Sequence, residues 1–198
     1  MQLFFDIDGV LLDFEKGFME YIRTHYHPEL PMGFRPQTWE MDGEFADVDI
    51  DEAWEGFTTS IEFQRLEALG DVNLFNNLYE THEIHLVTNL TYSLREARAK
   101  NLDFVGLKYH SLNLGGHHTF EVEGYPLKSA VMLPLVDESK KMIFVDDHPK
   151  NCEDVSEHYP KAQVYLMSRP HNLGYDSPWL RVESINQLIK LLEPSKRE

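Results

Sequence analysis

A short apolar run, Leu3 to Ile7, carries Asp6 within it and meets Asp8-Gly9. Such a run closed by Asp-Gly predicts a buried strand that delivers carboxylates to its own C-terminal end. Phe14, Phe18, Tyr21 and Ile22 then recur at helical spacing. A second helix is predicted from Asp51 to Leu69, with Ala53, Trp54, Phe57, Ile61 and Leu69 among its apolar positions. Between the two lies a Pro-rich, aromatic stretch from Pro28 to Trp39, which reads as loop. From Glu83 the pattern changes. Ile84 to Val87 predicts a strand, Ser93 to Leu102 a helix, Val105 to Leu112 a strand and Met142 to Val145 another. Asn151 to His158 follows as a short helix, Gln163 to Leu166 as a strand, and Ser184 to Leu192 as an amphipathic helix.

Strands alternating with helices predict an α/β fold, a Rossmann-like, doubly wound, mostly parallel sheet covered on both faces. The first crossover spans about 65 residues, far beyond the usual few-residue connection, and inserts of that size commonly serve as lids. The expected organisation is therefore a core formed by residues 1–13 and 81–198, with a small helical cap inserted at 14–80. No repeat or low-complexity tract alters this division.

At 198 residues with 42% hydrophobic content, the chain can bury a full core as one domain with a modest insertion. A net charge of −16 argues against a nucleic-acid polymer as partner, because phosphate backbones are held by Lys and Arg. Much of this acidity lies between Glu40 and Glu55 and reads as a solvated face. No run approaches membrane-spanning length, and the apolar start lacks the basic flank of a signal peptide, so no membrane partner is expected. Cys152 is the single cysteine, which precludes an intramolecular disulfide and fits a reducing compartment; the cytoplasm is the expected location.

In an open parallel sheet, ligands bind beyond the C-terminal strand ends. Asp6 and Asp8 close the first strand, and Asp146 and Asp147 close Met142 to Val145. One acid in such a place is ordinarily a turn former or a helix cap. Two pairs form a cluster of hard oxygen donors that, without Cys/His spacing, suits Mg²⁺ better than Zn²⁺. Unit charges about 4 Å apart repel by roughly 4 kcal/mol at an effective dielectric near 20, so the acids need compensation. A divalent cation supplies it, and Lys128 is placed to supply more. His117-His118, after Gly115-Gly116, reads as loop, and His25 and His27 lack partner ligands.

Asp6-Ile7-Asp8-Gly9-Val10 resembles the first motif of the haloacid dehalogenase superfamily of phosphohydrolases. Val87-Thr88-Asn89 resembles the second motif, Lys128 stands where the third motif's Lys belongs, and Val145-Asp146-Asp147 resembles the fourth. The resemblance implies a Mg²⁺-dependent phosphatase acting on a small phosphorylated metabolite. Asp6 would attack phosphorus to form an aspartyl-phosphate, and Asp8 would protonate the leaving alcohol and then activate water. Thr88 through its hydroxyl and Asn89 through its backbone N–H would bind the phosphoryl group, with Lys128 balancing charge. Mg²⁺ would be held by the carboxylates of Asp6 and Asp146 and the backbone carbonyl of Asp8. Asp147 is implied as a further ligand, a supporting acid or a clamp on Lys128.

Two departures stand out: Val10 replaces the Thr of many members, and the later acid of the fourth motif is absent or displaced to Asp154. Met167-Ser168-Arg169-Pro170-His171-Asn172 resembles a signature of the 5′(3′)-deoxyribonucleotidase-like branch, which implies a nucleoside (deoxy)monophosphate as substrate. A sugar phosphate is the alternative substrate, and a non-catalytic binding protein of the same fold is the alternative role. An acid at Asp8 is what dehalogenases of the superfamily normally lack. Phe14, Phe18, Trp39, Trp54 and Phe57 are expected either to stack on a base or to form core. Oligomeric state has no signature in the sequence.

Overall fold

The computed structural model describes residues 1–36, 38, 41, 45, 47–118 and 122–192. Within it, the first strand, β1 (Gln2–Phe5), sends Leu3 and Phe5 into one core and Phe4 into a second. A strand buried on both faces needs apolar residues at successive positions, which is why its pattern is a continuous run and not an alternation. β4 (Met142–Asp146) repeats this, with Ile143 and Val145 in the first core and Met142 and Phe144 in the second. With β2 (Glu83–Thr88), β3 (Ser111–Leu114), β5 (Gln163–Met167) and β6 (Leu180–Val182) they form one sheet. Its order is β3-β2-β1-β4-β5-β6, and every pairing is parallel. The expected doubly wound α/β architecture is the observed one.

Helices α5 (Lys128–Met132) and α6 (Pro149–His158) cover one face through Met132, Cys152 and Val155. The other face is covered by α1 (Phe14–His25), α3 (Val72–Tyr79), α4 (Arg95–Val105) and α7 (Ile185–Leu192). α2 (Ile50–Thr59) packs on α1 inside the insertion, whose centre is a cluster of the buried rings of Phe14, Phe18, Phe57 and Phe63. Phe14, Phe18 and Phe57 are thus core. Trp39 lies outside the described residues, as do Glu40, Asp42 and Glu44 of the acidic stretch.

Several elements differ from expectation for identifiable reasons. The predicted helix 51–69 stops at Thr59, because the hydroxyls of Thr58 and Thr59 bond back to the carbonyls of Trp54 and Glu55, and Ser60 turns extended. A 3₁₀ turn over Phe63–Arg65 follows. The strand predicted from Val105 begins only at Ser111, since α4 continues to Val105 and ends on Gly106 in the left-handed conformation. α3, unpredicted as a helix, is capped by Asp71 and sets Phe75 edge-on against Phe5, so the last part of segment 14–80 lies on the sheet. β6 is three residues long and leaves no periodic trace.

The returning end of the insertion runs beside the loop that follows β1. Asp13 N–H donates to the Glu67 carbonyl at 2.9 Å and Leu69 N–H to the Leu11 carbonyl at 2.8 Å. Among the described residues no helix is long and apolar enough to cross a membrane.

Candidate active site

The chain winds from β1 outward to β2 and β3, then returns to β1's other side as β4, so β1 and β4 flank the point where the winding reverses. Crevices form there beyond the strand ends. Parallel register places Phe5 opposite Val145, and Asp6 N–H donates to the Val145 carbonyl at 2.9 Å, which brings Asp6 level with Asp146. One oxygen from each of Asp6, Asp146 and Asp147 lies within 4.8 Å of the others. Lys128 opens α5 beside them, its Nζ 2.6 Å from Asp6 Oδ1 and 2.6 Å from Asp146 Oδ2. All four side chains are buried.

Asp154 acts in this arrangement as a brace. Asp154 on α6 accepts the Ser129 N–H at 2.8 Å and the Ser129 hydroxyl at 2.6 Å, which anchors the first turn of α5 and with it Lys128. Asp146 is fixed on its other side, accepting the His148 N–H at 2.8 Å and the Asn151 amide at 3.1 Å. Asp147 is set by its backbone. Its carbonyl accepts Asn172 Nδ2 at 2.6 Å, and Asn172 in turn accepts Arg181 at 2.9 Å. The segment that resembled a nucleotidase signature therefore acts here as a support beneath Asp147.

Gly9 is what lets Asp147 in. Its φ is +74°, and a Cβ built on it would stand 2.0 Å from Asp147 Oδ2. Burial, above all, holds the Asp6 carboxyl well above its ordinary pKa, against the pull of Lys128 and with the push of Asp146, Asp147 and Asp8. Burial also works against the Lys128 charge, yet Asp146 and Asp6 outweigh it and hold the ammonium above its ordinary value.

Asp8 lines the same cavity, but its carboxylate is turned to α4, where Arg98 Nη2 lies 2.7 Å from both oxygens. Burial raises the Asp8 carboxyl, and Arg98 opposes that rise. The carboxylates that gather are those of Asp6, Asp146 and Asp147, so Asp147, expected as a ligand, a supporting acid or a clamp on Lys128, stands with the two expected carboxylate ligands. Thr88 and Asn89, at the end of β2, reach the cavity wall. The Thr88 hydroxyl oxygen accepts the Leu90 N–H at 3.4 Å, which leaves its proton to donate elsewhere. Trp54, Leu90, His118, His148 and Asn151 complete the wall; of these only Trp54 had been weighed, as a ring that either stacks on a base or forms core. Trp54 Nε1 donates to His118 Nδ1 at 3.1 Å, joining the insertion to the loop after β3. Burial, with His117 beside it, lowers the His118 pKa.

The residues present fit a hard divalent cation. The donors are all oxygen, three carboxylates face the Lys128 ammonium with the His171 imidazole 3.3 Å from Asp147 Oδ2, and that oxygen is buried without a hydrogen bond. Asn89 Oδ1 and Asn151 Oδ1 are likewise buried with no hydrogen bond. The cavity measures about 50 Å³. On that measure it has room for roughly four waters.

No family model matches the chain, and no curated protein matches it. Solved structures do share its fold. A Thermotoga maritima protein assigned as a β-phosphoglucomutase aligns over 97% of this chain and 98% of its own, at 16% identity and a TM-score of 0.66. A Streptococcus pneumoniae hydrolase of the haloacid dehalogenase-like family aligns over 97% and 98%, at 15% identity and a TM-score of 0.61. A magnesium-bound Bacillus subtilis protein, YfnB, assigned as a HAD-hydrolase, aligns over 97% and 98% at 14% identity and 0.59. At these identities the likeness is one of fold.

Proposed function

We propose that the chain is a haloacid dehalogenase-type phosphatase that hydrolyses a small phosphomonoester. The observation that carries this is the cluster of the Asp6, Asp146 and Asp147 carboxylates, with Lys128 bonded to the first two, buried beside a small cavity that Asp8 and Thr88 also line. The shared fold of hydrolases and of the protein assigned as a phosphoglucomutase supports it.

Asp6 attacks phosphorus with a carboxylate oxygen, and the bond from phosphorus to the leaving oxygen breaks as Asp8 gives that oxygen its proton. The aspartyl-phosphate on Asp6 is then hydrolysed by water, which yields its proton to Asp8 and restores both acids. Lys128 favours the ionised form of Asp6 against its burial and offsets charge on the phosphoryl oxygens, to which Thr88 donates its hydroxyl. Mg²⁺ held by Asp6, Asp146 and Asp147 would supply further neutralisation of phosphoryl charge. Segment 14–80 acts as the cap, and Trp54 is its contribution to the cavity.

A nucleoside (deoxy)monophosphate is the first substrate to test, on the resemblance of Met167 to Asn172, and a sugar phosphate the second, on the fold shared with the phosphoglucomutase-assigned protein. L-2-haloacid dehalogenases share the fold as well. Asp8 is the acid that sets this chain apart from that chemistry. The test is phosphate release from a panel of mononucleotides and sugar phosphates with Mg²⁺ and with EDTA, for the wild type and Asp6→Asn. Release that needs Mg²⁺ and is lost in a folded Asp6→Asn is expected. Release by neither protein from any compound would remove the phosphatase reading.

A further inference from the structure

Arg98 has no part in the four motifs, yet it is among the largest fully buried side chains. It sits on α4 and faces the site from the far side of Asp8. Its Nη2 lies 2.7 Å from both Asp8 oxygens, its Nη1 is 3.3 Å from Asn101 Oδ1, and its guanidinium carbon is 4.4 Å from the centre of the Phe63 ring. Its Nε is buried with no hydrogen bond. Asn101, one turn on, donates to the Leu66 carbonyl at 3.1 Å. Phe63 and Leu66 belong to the returning end of the insertion, so Arg98 and Asn101 join three parts: the β1 loop, α4 and the cap's last strap.

A buried ion pair with one donor unsatisfied is a poor source of stability, since an apolar replacement of the same volume often serves as well. It is a good way to hold a side chain in one orientation. Asp8 needs that hold, because Asp147 repels it from the site side and a lone carboxylate has two free torsions. We propose that Arg98 is a positioning residue, which fixes the Asp8 carboxylate at the cavity wall and ties that position to the returning strap of the cap. The kinetic part of this inference rests on the phosphatase reading; the structural part does not.

The experiment compares wild type, Arg98→Gln, Arg98→Lys, Asp8→Asn and the double variant Arg98→Gln/Asp8→Asn. The substrates are β-glycerophosphate, whose alkoxide must be protonated to leave, and p-nitrophenyl phosphate, whose phenolate leaves without a proton. Arg98→Gln should lower kcat for β-glycerophosphate by about 100-fold and for p-nitrophenyl phosphate by less than about 5-fold, with KM unchanged. Arg98→Lys should recover most of the loss, and in the Asp8→Asn background Arg98→Gln should cost β-glycerophosphate nothing more. Equal losses on both substrates would mean a structural role alone and overturn the proposal. If Arg98→Gln does not fold, Arg98→Lys carries the same comparison, with a smaller loss confined to β-glycerophosphate expected. Crystal structures give the second readout: the Asp8 carboxylate should leave its wild-type position in the variant, and an unmoved Asp8 would overturn the proposal. If wild type released phosphate from neither substrate, the Asp8 position in the crystal structures would by itself decide the role of Arg98.

Discussion

Replacing Gly9 by Ala should damage the candidate metal site in a way that can be separated from its cost to the backbone. Gly9 holds φ at +74°, and a non-glycine residue in the left-handed region costs about 1–2 kcal/mol. In a chain of this size, each kcal/mol moves the melting temperature by about 2–4 °C. The new Cβ would also stand 2.0 Å from Asp147 Oδ2 where ordinary contact begins at 3.4 Å, so the carboxylate has to retreat by the difference, about 1.4 Å. Metal ligands tolerate displacements of only about 0.2 Å, so Mg²⁺ affinity should fall at least 10-fold, at the low end of the losses seen when a ligand's support is removed. Gly106→Ala is the control. Gly106 has φ +77° and no atom within 4 Å of its built Cβ, so it carries the backbone cost without the collision. Calorimetric titration with Mg²⁺ and thermal melting in EDTA read the two parts. Gly9→Ala should lose both stability and affinity, and Gly106→Ala stability alone. The reasoning is refuted if the two variants behave alike in the Mg²⁺ titration.

Three further outcomes follow from the geometry. Asp154→Ala leaves the buried Ser129 N–H and hydroxyl without their acceptor, at about 1–3 kcal/mol for each, and should lower both melting temperature and kcat, with Asp154→Asn intermediate. His171 is buried between Asp147 and Glu15; burial opposes its charge, but their hydrogen bonds and charges prevail and raise its pKa from 6.5 to about 10. Its contribution to stability is therefore whole below about pH 6.5 and is lost as pH rises through about 10. Metal-free protein should lose stability across that window, and His171→Gln should flatten the loss; an unchanged profile would refute it. Trp54→Phe keeps a ring but removes the hydrogen bond to His118, worth about 0.5–1.5 kcal/mol. The ratio of kcat/KM between a nucleoside monophosphate and p-nitrophenyl phosphate should change by about 2–10-fold, and a constant ratio would remove Trp54 from substrate choice.

The strands were legible because burial on both faces forces a continuous apolar run, which β1, β4 and β5 show and which His85 alone interrupts in β2. The helix ends were less so. Thr58 and Thr59 stop α2 by bonding their own backbone, and apolar spacing does not record that competition. In the site, Asp6, Thr88 and Asp146 could be placed because each ends a recognisable strand. His118 and Trp54 could not, since they are 64 residues apart and meet only when the cap folds over the sheet.

What the sequence determined by itself is the set of acids at two strand ends, the doubly wound parallel sheet that carries those strands, and the presence of Lys128 between them. These follow from local pattern and from the rule that parallel strands present their C-terminal ends together. What the tertiary structure decided is which oxygens gather and which way each acid faces. Asp147 joins Asp6 and Asp146 because Gly9 leaves room for it and Asn172 holds its carbonyl. Asp8 turns to α4 because Arg98, 90 residues on, is buried there with a charge to satisfy. Such choices depend on charge and volume supplied by distant segments, and those are defined only once the chain has packed.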